Sequence, residues 1–107
     1  MNMIHFKDLP QSLIGRVVQF NFSGATLRVT VLKVTGITNE DLRGTLIASD
    51  WAFNNMKKSP LNTDLTYRLN YASPENIISY RVLPPKELPL LIGYRYTSDL
   101  LAQLIKG

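Results

Sequence analysis

The sequence predicts a small, mainly β protein: five or six short antiparallel strands closing into a barrel, followed by a short C-terminal helix. Three observations carry that expectation. Apolar residues recur at every second position in separate runs, as in Val18, Phe20 and Phe22, which is the period of a strand with one buried face. Turn-forming clusters such as Ser23-Gly24 and Ser73-Pro74 separate the runs. Beyond Thr97-Ser98 the period becomes helical, with Leu100, Leu101, Leu104 and Ile105 on one stripe of a helix from Asp99 to Lys106. At 107 residues the chain reads as a single domain. Within 1–107 the expected parts are a lead-in turn at 1–14, the barrel at 15–83, and a proline arm, edge strand and helix at 84–107.

The elements follow in order. Asp8-Leu9-Pro10 opens a short helical turn that Gly15 ends. The first strand runs from Arg16 to Phe22, with Val18, Phe20 and Phe22 inward and Gln19 and Asn21 outward. The second, Thr26 to Val31, places Leu27, Val29 and Val31 inward and Arg28 and Thr30 outward. Its alternation slips near Val31-Leu32, as a bulge or bend would make it slip, and Lys33 then faces outward. Leu42 to Ala48 is the third strand, with Gly44 on its inward side making room for a bend or a bulky ring. Residues 51–58 read equally as a short helix or an irregular loop. Leu65 to Tyr71 and Ile77 to Leu83 are the fourth and fifth strands, with Tyr67, Tyr71 and Tyr80 inward. Pro84-Pro85 stops the fifth, and Leu90 to Tyr96 reads as a sixth, edge strand.

A short turn between the last two barrel strands, as Ser73-Pro74-Glu75-Asn76 provides here, makes residues 14 to 83 resemble SH3-like and Sm-like barrels. The resemblance is one of pattern and implies a fold; it brings no residue roles with it.

Composition removes several functions. The chain has no cysteine, so a disulfide scaffold, a thiolate zinc site and a cysteine nucleophile are excluded. His5 is the only histidine, and the carboxylates are scattered, so no metal and no cofactor is expected. Glu40 and Asp41 are adjacent in a loop, where neighbouring side chains diverge, and make a poor acid–base pair. The reading is of a protein that is not an enzyme. No segment approaches the roughly 18 apolar residues of a membrane span. The first ten residues, broken by Lys7, Asp8 and Pro10, do not read as a secretory signal. A cytoplasmic setting without membrane contact is therefore expected.

The chain carries 12 Lys and Arg against 8 Asp and Glu, a formal charge of +4. The alternation puts Arg28, Arg43, Arg68 and Arg81 on the outward side of four different strands, with Thr30, Thr45, Asn70 and Ser79 beside them. Adjacent strands would join these into a basic belt suited to phosphate. Lys57, Lys58 and Trp51 would add charge and a stacking surface. Nucleic acid is the expected partner. The alternative is a protein partner, met by Trp51, Phe53, Met56, Tyr94 and Tyr96 as an aromatic patch. Oligomerisation as a ring of copies and a monomeric barrel both fit.

Overall fold

In the computed structural model, residues 3–23, 27–50, 66–73 and 76–106 are described. Six antiparallel strands and one helix organise them: β1 (Val17–Ser23), β2 (Leu27–Ile37), β3 (Asp41–Ser49), β4 (Thr66–Asn70), β5 (Asn76–Val82), β6 (Tyr96–Thr97) and α1 (Asp99–Lys106). The strands pair in the order β4-β3-β2-β1-β5, with β6 added to the end of β3. The protein is thus a mainly β antiparallel sheet with a short C-terminal helix. Among the described residues no pairing joins β4 to β5, so the sheet is open there. The predicted closure is not among its pairings.

Two core clusters lie on opposite faces of this sheet. On the inner face Val18, Phe20, Phe22, Leu32, Val34, Leu42, Leu46 and Ile77 pack with Phe6, Leu9 and Leu13 from the lead-in. The lead-in forms two 3-10 turns, Phe6–Asp8 and Gln11–Leu13. Gly15 then takes φ +86°, a left-handed conformation that a residue with a Cβ adopts only under strain. On the outer face Val31, Ile47, Ala48 and Leu83 are covered by Leu88, Leu91 and Leu101 of the C-terminal segment.

This second layer explains where β2 departs from expectation. Thr30 lies opposite Phe20 and Arg28 opposite Phe22, so Thr30 and Arg28 share the inner face and Val29 and Val31 the outer one. Val31 and Leu32 are both fully buried because the strand is covered on both sides. A register shift does occur beside Val31-Leu32, but the extra residue is Ile47 on β3. A second shift makes Thr35 the extra residue on β2. Gly44 faces this distorted stretch, and a Cβ there would sit 2.9 Å from the Lys33 carbonyl oxygen. Its cross-strand partner is Tyr67, whose ring stacks on Phe22 at 5.7 Å.

The segment after β5 is not an extended arm leading to an edge strand. Pro85–Gly93 is a 3-10 helix, and β6 is only Tyr96–Thr97. Three prolines at 84, 85 and 89 fix φ and remove donors a strand would use. Leu88 and Leu91, three apart, are buried, matching the three-residue turn of a 3-10 helix. Helix α1 occupies the predicted span and packs against this segment and β3. Ser98 precedes it: its carbonyl accepts from Leu101 N–H, and its own N–H donates to the Ile47 carbonyl. Among the described residues no helix is long and apolar enough to cross a membrane.

Candidate nucleic-acid interface

Arg43 on β3 and Arg68 on β4 are direct cross-strand partners, so their side chains leave the same face of the sheet side by side. Like charges in that position repel. The repulsion is relieved by Asp41, two residues before Arg43 and therefore on the same face. Its Oδ2 accepts from Arg43 Nε at 2.8 Å and from Arg68 Nε at 2.7 Å. The carboxylate is 2% exposed, whereas the two arginine side chains are 53% and 51% exposed. One buried acid thus holds two half-exposed guanidiniums, leaving a net charge of +1 at the surface.

The turn before β3 aims this carboxylate. Thr38 Oγ1 donates to Asp41 Oδ1 at 2.9 Å and accepts from the Asp41 and Glu40 N–H groups, each at 3.0 Å. Hydrogen bonds from Arg43, then from Arg68 and Thr38, together with the charge of Arg43, hold the Asp41 pKa down at about 2, against the opposing effect of desolvation. Asp41 is therefore ionised throughout the neutral range. Lys33 joins the same face: it pairs with Thr45 on β3 and Val17 on β1, diagonal to Arg43.

The other two arginines stand elsewhere. Arg81 is opposite Gln19, which is opposite Val31. Arg43 is opposite Gly36, five residues further along β2, a separation of roughly 16 Å at 3.3 Å per residue. Arg81 Nη1 donates to both carboxylate oxygens of Glu87, at 2.9 and 2.8 Å. That contact lowers the Glu87 pKa and raises that of Arg81. It ties the 3-10 helix to β5. Arg28 lies on the inner face. The four arginines therefore do not form one belt: two are brought together, one straps the C-terminal segment down, and one is on the opposite side. Comparison with family models, curated proteins and solved structures returned no match.

The aromatic patch of the alternative reading is divided as well. Tyr96 is buried in the inner core, and Tyr94 packs against the outer one, where desolvation raises its pKa. Trp51, Phe53, Met56, Lys57 and Lys58 lie outside the described residues. Tyr71, predicted inward, is 67% exposed, because β4 ends at Asn70 and the chain turns there, with Ser73 N–H donating to the Asn70 carbonyl. Among the described residues no group of three His, Asp or Glu side chains is placed to hold a metal ion. Sequence reasoning missed Asp41 and Lys33 as members of the site. The signal for Asp41 was its spacing from Arg43, i to i+2 on a strand.

Proposed function

We propose that this protein binds nucleic acid without catalysing a reaction, seating a backbone phosphate on the paired side chains of Arg43 and Arg68. The observation that carries the reading is the shared carboxylate. Asp41 engages both arginines through Nε and restrains them side by side, so less side-chain freedom is lost when an anion is bound. Guanidinium forks match phosphate oxygens, and Lys33 on the same face extends the positive field. The strand order supports reading the sheet as an SH3-like or Sm-like barrel left open between β4 and β5, with the arginine pair on its outer surface.

Fluorescence anisotropy of a labelled single-stranded oligonucleotide over a salt series tests this. Phosphate binding predicts affinity falling with salt along a log–log line, with a slope of about −0.7 per phosphate neutralised. No binding at low salt would overturn the reading. A protein partner is favoured by a different observation: Leu90 and Ile92 on the 3-10 helix are 72% and 65% exposed. In that case Leu90→Ser with Ile92→Ser would remove an association that no salt series or oligonucleotide affects.

A further inference from the structure

A recess of about 220 Å³ opens where β4 ends and β5 begins. Leu69 and Ile77, both buried, form its apolar floor. His5, Tyr71, Asn70 and Asn76 line it as well; the Asn70 amide oxygen already accepts from Ala72 N–H at 2.9 Å and Ser73 Oγ at 3.3 Å, which leaves its NH2 group as the one on offer. Its volume is below the ~300–1,000 Å³ of sites that enclose drug-sized ligands, leaving room for one planar ring. The aromatic wall is braced: Tyr71 lies 5.2 Å from His5 and 5.0 Å edge-on to Phe6, centroid to centroid. The Tyr71 hydroxyl donates to the Asn39 carbonyl at 2.9 Å. An exposed tyrosine held this firmly offers a ring face at little further loss of freedom.

The recess meets the arginine pair only at Asn70: neither arginine lines it, and Leu69 faces the inner core while Arg68 leaves the outer face. Asn70 is the cross-strand partner of Asp41, and Arg68 lies two residues back along β4, about 6.6 Å away at 3.3 Å per residue. A single strand turning round the end of β4 would present a base to one face and a backbone phosphate to the other. We infer that the recess takes one unstacked base of a single strand whose phosphate rests on Arg43 and Arg68. The base stacks on Tyr71, and its polar edge meets the amides of Asn70 and Asn76. This inference rests on the phosphate reading above and narrows it from nucleic acid in general to single strands, because a duplex keeps its bases stacked away from such a wall.

The test compares two labelled probes of equal length on the full chain, a short oligothymidylate and its abasic counterpart, which has the same phosphates without bases. Base–aromatic stacking predicts that the thymidylate binds about 5- to 140-fold more tightly. Tyr71→Ala should remove that preference without changing the affinity for the abasic strand, while Tyr71→Phe keeps it. Equal binding of both probes by the wild type, or a preference that survives Tyr71→Ala, overturns the recess and leaves the arginine site standing. Binding of neither probe at low salt overturns both.

Discussion

Arg68 and Arg81 are both strand arginines on the outer face of one sheet, yet their surroundings give them opposite roles. At Arg68 the acid lies underneath, buried and shared with Arg43, so the charges count two against one and a cation remains at the surface. At Arg81 the acid comes from the covering segment, one carboxylate to one guanidinium, and the pair is neutral. The difference lies in what covers each half of the face. Leu88, Leu91 and Leu101 close over Val31, Ile47 and Ala48, and Glu87 arrives with them. The Arg43–Arg68 half carries Thr45 and Lys33 instead of a contiguous apolar patch. A strand arginine becomes a strap or an anion seat according to which neighbour brings the carboxylate.

Loosening the cover produces the largest expected effect. Leu101 is 2% exposed, and Leu101→Ala should lower unfolding stability by about 2–5 kcal/mol, read from urea denaturation. Oligonucleotide affinity at the uncovered half should stay close to wild type. Unchanged stability would mean that α1 is not packed on the sheet.

A smaller effect sharpens the electrostatic half of the contrast. The Asp41 pKa is lowered from the ordinary 3.8 to about 2, so the unfolded chain binds this proton more readily than the folded one. The resulting stabilisation is present above the ordinary carboxylate pKa and is lost as pH falls from about 4 to about 2. Glu87 is lowered too and adds to the loss on the same side. Thermal melts from pH 7 to pH 2 should show stability falling through that window in the wild type. The fall should be shallower in Asp41→Asn. A variant curve parallel to the wild type would show that the carboxylate is not shared as described.

Much of this fold was legible. Val18, Phe20 and Phe22 announce β1 by strict alternation, and the leucines of α1 announce a helix whose stripe must be buried. The face assignment of β2 was not, because alternation marks a face only where the other side meets water. Val31 and Leu32 are both inside, and nothing local says that a segment more than fifty residues later covers Val31. The 3-10 helix was readable in part from Pro84, Pro85 and Pro89, which argue against a strand. For the candidate site, outward arginines were visible one strand at a time. Their pairing depends on the register between β3 and β4, which no single run of residues encodes. Asp41 read as half of a weak acidic dipeptide because its partner on β4 is twenty-seven residues away.

The central claim is that two of the strand arginines, and not Arg81, seat the phosphate. It is tested most directly by the salt dependence of oligonucleotide affinity in Arg43→Gln with Arg68→Gln against Arg81→Gln. Glutamine keeps a donor for Asp41 while removing the charge. The account predicts that the double variant binds more weakly, with a salt slope shallower by about 0.7 for the one phosphate the pair seats, and that Arg81→Gln leaves the slope unchanged. A slope untouched by the double variant, or lost equally on replacing Arg81, would contradict it.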